Sequence, residues 1–113
     1  MTATILLVDD SRASRMLCSS IIRSLRPGLQ ILEAGDGNDA LSVLASQTPQ
    51  LAVIDMNMPG MSGLELAEKL RTSHPDIRLA LLTANVQESI QRRAAELGVH
   101  FFRKLITESV VAS

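Results

Sequence analysis

A single cysteine, Cys18, in 113 residues leaves no material for a disulfide framework and suits a reducing cytoplasm. Set among Met16, Leu17, Ile21 and Ile22, it reads as a core residue rather than a nucleophile. An excess of charge of one sign is also lacking. The formal net charge is -1, so no general positive field exists to hold DNA or RNA. The Arg92–Arg93 pair reads as solvated helix surface. No run approaches the ~20 consecutive apolar residues that a membrane-spanning helix needs. The opening MTATILLVDD reaches two aspartates almost at once, unlike the basic-then-apolar start of an export signal. His74 and His100 have no cysteine or acidic neighbours in a zinc-like spacing.

What is present is a globular share of apolar residues, 46%, in a chain long enough for one core and too short for two ordinary domains. Residues 1–113 therefore read as a single domain. Short apolar runs alternate with longer amphipathic stretches, the signature of βαβ units. Strands are predicted at 4–8, 30–34, 51–54, 77–82 and 99–103. Helices are predicted at 12–25, 38–47, 64–72 and 86–97. Met16, Leu17, Ile21, Ile22 and Leu25 fall on or near one face of the first helix. Pro27-Gly28, Thr48-Pro49, His74-Pro75 and Gly98 supply the breaks. LITESVVAS, after Lys104, provides only about two turns of a fifth helix, short for covering a sheet face. That shortness leaves open whether the natural chain continues past Ser113. The class is α/β: a doubly wound, five-stranded parallel sheet with helices on both faces. Every predicted helix is needed to cover that sheet, leaving none for a helix-turn-helix.

In such folds the working site lies at the carboxyl ends of the strands, near the switch in strand order. Five polar side chains fall there: Asp9 and Asp10 after strand one, Asp55 after strand three, Thr83 after strand four, Lys104 after strand five. Taken singly, each has an ordinary reading. An aspartate after a strand forms turns or caps helices, and Asp10 or Ser11 could cap the first helix. Thr83 could be a cap or a packed β-branched residue, and Lys104 a surface lysine. Their coincidence at one edge changes the balance. With strand order 2-1-3-4-5, the three carboxylates converge and need a cation. Oxygen-only ligands favour Mg²⁺ or a similar hard divalent ion, to which the Asn57 carbonyl could contribute. Mg²⁺ and Lys104 could neutralise a phosphoryl group while Asp55, central and followed by a Gly/Pro-shaped loop, attacks phosphorus.

The stretches ILLVDDS at 5–11, LEAGDGNDAL at 32–41, LAVIDMNMPGMSGLEL at 51–66, LLTAN at 81–85 and FFRK at 101–104 resemble the receiver domain of bacterial two-component response regulators. The resemblance covers nearly the whole chain. The NMPGMSG loop and small size look most like stand-alone chemotaxis-type regulators, although receivers fused to output domains carry similar loops. It implies the flavodoxin-like receiver fold, with Asp55 as phosphoacceptor and Asp9 and Asp10 holding Mg²⁺ beside the Asn57 carbonyl. Thr83 matches the hydroxyl that moves toward the phosphoryl group, Lys104 the lysine that pairs with a phosphoryl oxygen, and Phe101 the aromatic that rotates inward. Asn57 and Asn85 match the positions that tune phosphoryl lifetime. The implied donor is a phosphohistidine on a sensor kinase or phosphotransfer protein, and the implied output is a downstream protein or a fused domain. Such a protein catalyses its own phosphorylation and dephosphorylation, yet is primarily a signalling switch. The resemblance also leaves room for homodimerisation through the fourth-helix face.

Two departures stand out. Leu105 replaces the proline usual after the lysine. A cis bond there would cost ~2.5–4 kcal/mol, so a trans bond and an altered loop are expected. The segment from Gly98 to Lys104 is also one residue shorter than the common pattern. These changes keep a second reading open, a receiver-like binding module with weak phosphorylation. A small flavodoxin-like or hydrolase-like enzyme has less support, because the sequence has neither a long phosphate-cradling glycine loop nor a nucleophile elbow.

Overall fold

The strands form where short leucine-, isoleucine- and valine-rich runs are bounded by turn residues. The structure, a computed structural model, describes residues 3–84 and 87–103. Its elements in chain order are β1 (Thr4–Val8), α1 (Arg12–Leu25), β2 (Gln30–Ala34), α2 (Gly37–Leu44), β3 (Leu51–Asp55), α3 (Gly63–Ser73), β4 (Arg78–Thr83), α4 (Glu88–Glu96) and β5 (His100–Arg103). The five strands are parallel in the order β2-β1-β3-β4-β5, as the sequence predicts. The fifth helix, Lys104, Leu105 with its peptide bond, and Asn85 lie outside the described residues.

Side-chain alternation divides the sheet into two unlike faces. Leu6 stands in register with Ala52 and Leu79, and Val8 with Ile54, Leu81 and Phe101. These residues share one core with Ala40 and Leu44 of α2, Leu66, Ala67 and Leu70 of α3, and Ala94 of α4. The opposite face carries Leu7, Val53 and Leu82, which line a small cavity with Arg15 and Cys18 of α1. Thus α1 lies across the sheet from α2, α3 and α4.

Helix termini are set by local chemistry. Ser11 caps α1 by accepting the Ser14 amide at 3.2 Å, and Asp36 caps α2 by accepting the Asp39 amide at 2.8 Å. Ser62 and Glu65 form a reciprocal capping box at α3. The last turn of α2 tightens, with Ser46 N–H donating to Val43 O at 3.2 Å, so the helix ends at Leu44 rather than near 47. Gly98, at φ +70°, closes α4: its amide donates to Ala95 O at 3.1 Å and that of Val99 to Ala94 O at 2.8 Å. That closure uses Val99, and β5 begins at His100. Arg71 of α3 secures the same end, Nε donating to Leu97 O at 2.8 Å and Nη2 to Gly98 O at 3.2 Å.

One sequence expectation is corrected in α1. Met16, Ile21 and Leu25 are exposed, Leu25 by 75%. The stripe turned toward the sheet is instead Arg15, Cys18, Ser19 and Ile22, spaced i, i+3, i+4, i+7. At 100° per residue, Met16 and Ile21 point away from the centre of that stripe. Ile54, fully enclosed, should lose about 2–5 kcal/mol when cut to alanine. Leu25→Ala should stay within about 0.5 kcal/mol of the parent. Urea-unfolding midpoints compare the two.

Candidate functional site

Parallel packing of β1 against β3 brings their carboxyl ends side by side, Val8 in register with Ile54. Asp9 and Asp55 are therefore neighbours across the sheet edge, and Asp10 follows at the turn into α1. One carboxylate oxygen from each of the three lies within 4.8 Å of the other two. Asp9 and Asp55 are only 6% exposed, whereas Asp10 faces solvent. For ionised carboxylates at that spacing, each pair repels by roughly 3 kcal/mol or more at an effective dielectric of about 20. A cation coordinated between them removes the conflict, and an all-oxygen donor set fits a hard divalent ion. The residues present fit Mg²⁺.

The main chain around the cluster is closely tied. The Asp9 amide donates to Ala34 O at 3.1 Å, and Asp9 Oδ1 accepts the Ser11 amide at 2.9 Å. Beyond Asp55, Met56 N–H donates to Leu82 O at 2.8 Å and Gly63 N–H donates to Met56 O at 3.0 Å. The loop of residues 56–62 thus leaves the sheet edge and folds back onto it. Gly63 makes this approach possible. A Cβ there would overlap the Asp55 carbonyl oxygen and stand 2.9 Å from both the Asp55 carbonyl carbon and Met56 Cα. Asn57 sits on that loop, exposed.

Thr83 is the final residue of β4, 1% exposed, rather than a turn residue after it. Pairing with Arg103 of β5 extends the strand that far. By alternation it shares the face of Leu79 and Leu81, as does Phe101, which pairs with Leu81 and packs half-buried on the core. The hydroxyl and the aromatic ring therefore belong to the α4 side of the sheet. Of the expected site residues, the structure gathers Asp9, Asp10 and Asp55 into one cluster and sets Thr83 on the strand next to β3.

Sequence reasoning missed Arg15. Its Nη1 donates to the Asp9 main-chain carbonyl at 2.5 Å and its Nε pairs with Glu33 Oε1 at 3.0 Å. The available signal was its place in the i, i+3, i+4, i+7 stripe with Cys18, Ser19 and Ile22.

Comparison with known proteins agrees with this geometry. The response regulator receiver domain family matches residues 5–110. The chain belongs to that family. Its members are the phosphoryl-accepting domains of two-component signalling, and this chain is a receiver domain of that kind. It is 31% identical over 103 residues to sporulation initiation phosphotransferase F of Bacillus subtilis, covering 89% of this chain and 82% of that protein. It is 39% identical over 97 residues to the cyclic di-GMP phosphodiesterase response regulator RpfG of Xanthomonas campestris, covering 84% of this chain but only 26% of that longer protein. Among solved structures, the Vibrio cholerae chemotaxis protein CheY4 superposes with a TM-score of 0.84 over 99% of this receiver and 94% of its own chain. At 23% identity, that likeness shows the fold. Among the described residues, no helix is long and apolar enough to cross a membrane.

Gly63→Ala should destabilise the receiver by about 1–3 kcal/mol, because the added methyl meets main chain rather than a movable side chain. A urea midpoint reads this directly. Gly60→Ala, where the added Cβ has open space around it, separates crowding from the cost of a left-handed φ.

Proposed function

We propose that Asp55 is the phosphoacceptor of this receiver and that Asp9, Asp10 and Asp55, with the Asn57 carbonyl, hold Mg²⁺. The observation that carries the reading is the convergence of three carboxylates, two of them buried, at the carboxyl edge of β1 and β3. A carboxylate oxygen of Asp55 attacks the phosphorus of a phosphohistidine on a kinase or phosphotransfer protein. The P–O bond forms as the P–N bond breaks, and the electron pair stays on the imidazole, which leaves as the neutral ring because its other nitrogen carries a proton. In the reverse half of the cycle, water adds to the same phosphorus and the P–O bond to Asp55 breaks. Inorganic phosphate leaves as dihydrogen phosphate with both of the water's protons, and the Asp55 carboxylate is restored.

Mg²⁺, when bound, neutralises the phosphoryl oxygens and the carboxylates around them. Thr83 donates its hydroxyl to a phosphoryl oxygen, and Lys104 supplies the balancing cation. Asn57 and Asn85 set the access of water and so the lifetime of the acyl phosphate. Inward rotation of Phe101 follows the movement of Thr83, since both lie on the α4 side of the sheet. The switched surface is then α4 and β5, biased between two states by the phosphoryl group. The domain would work in the cytoplasm, with a downstream protein, a fused output domain or a second copy of itself as its partner.

Intact-mass measurement after incubation with acetyl phosphate tests the reading. The parent should gain about 80 Da, one phosphoryl group, only when Mg²⁺ is present, and Asp55→Asn should gain nothing. An adduct that persists in Asp55→Asn would contradict the assignment. No adduct in the parent, together with no response to beryllofluoride, would favour a receiver-like binding module instead.

A further inference from the structure

The stripe of α1 that faces the sheet holds one charged residue. Arg15 is an unusual choice there, since arginine normally keeps its head in water, yet its side chain is only 17% exposed. The planar guanidinium is used in two directions at once. Nη1 donates to the main-chain carbonyl of Asp9, and Nε donates to Glu33 on the edge strand β2. Asp9 is bound to the same strand through its amide, which donates to Ala34 O. The turn that carries Asp9 and Asp10 is thereby held on both sides of one peptide plane's neighbours, by the sheet and by the fork of Arg15.

We propose that Arg15 is a positioning residue for the metal-binding carboxylates, fixing the main chain at Asp9 so that Asp9 and Asp10 meet Asp55 at a preset spacing. This inference rests on the metal-site reading above. Charge alone pulls the opposite way. A guanidinium near the cluster repels a divalent cation, so an Arg15 that acted only through Coulomb's law would, on removal, let Mg²⁺ bind more tightly. Positioning predicts the reverse sign, since groups that orient metal ligands commonly contribute about tenfold or more to affinity. Lysine is a poor substitute because a point ammonium lacks the rigid fork that spans the carbonyl and Glu33.

Isothermal titration of the full chain with MgCl₂, comparing the parent with Arg15→Lys, Arg15→Gln and Asp10→Asn, decides the matter. Metal-free Tm is measured in parallel by circular dichroism. Both Arg15 variants should bind Mg²⁺ about tenfold more weakly, whatever their metal-free Tm. A merely structural arginine would lower the Tm and leave the affinity of the folded protein unmoved, which would overturn the proposal. Tighter binding by Arg15→Gln, the pure charge response, would overturn it as well. If one Arg15 variant does not fold, the other decides by the same criterion. Asp10→Asn separates the two layers of inference. If it loses Mg²⁺ while both Arg15 variants keep it, only the positioning role fails. If it binds as the parent does, the metal site itself fails, and the role of Arg15 with it.

Discussion

Mutual repulsion among Asp9, Asp10 and Asp55 is the constraint around which this receiver is arranged. Three carboxylates with oxygens within 4.8 Å of one another are a poor resting state for a folded chain. They are brought together by parallel pairing of β1 and β3, which is stabilised by the apolar core directly beneath that edge. Leu6, Val8, Ala52, Ile54, Leu79 and Leu81 are all buried beneath α2, α3 and α4. Hydrophobic burial thus works against the repulsion between the carboxylates. A cation or a phosphoryl group at that edge acts on interactions already present, and this is how a local charge change can bias the whole domain.

The surrounding connections make sense as ways of holding that edge. Gly63 lets the loop after Asp55 return to within hydrogen-bond distance of Met56. The capping box of Ser62 and Glu65 then starts α3 directly behind it. On the other side, Ser11 both caps α1 and gives its amide to Asp9. Farther away, Arg71 and the Glu68–Arg93 pair, at 3.2 Å, tie α4 to α3. These contacts hold the carboxyl-terminal half of α4 against α3, while Ile90 packs on the core nearer its amino end.

Much of this was legible in the sequence, because the strands and their breakers differ so sharply in composition. LAVID and TILLV admit little besides buried strands, and the aspartates that follow them are placed at one edge by the crossover rule alone. Boundaries shifted by one to three residues where a hydrogen bond rather than a side-chain pattern ends the element, as at Ser46 and Val99. The face of α1 was misread because Met16, Ile21 and Leu25 look like core yet are exposed. Its true inward stripe includes a serine and an arginine. Helical spacing can place Arg15 on the inward stripe, but neither its contact with the Asp9 carbonyl nor the near overlap at Gly63 has a sequence pattern. Such features depend on distances between segments far apart in sequence.

The most direct test of the central claim is to trap the acyl phosphate chemically and read its position. Receiver phosphorylated by acetyl phosphate with Mg²⁺, then reduced with borohydride and digested, reports the modified carboxylate as homoserine. Homoserine is expected at position 55 and at no other aspartate. Homoserine at position 9 or 10, or phosphate that resists borohydride on a serine or threonine, would contradict it.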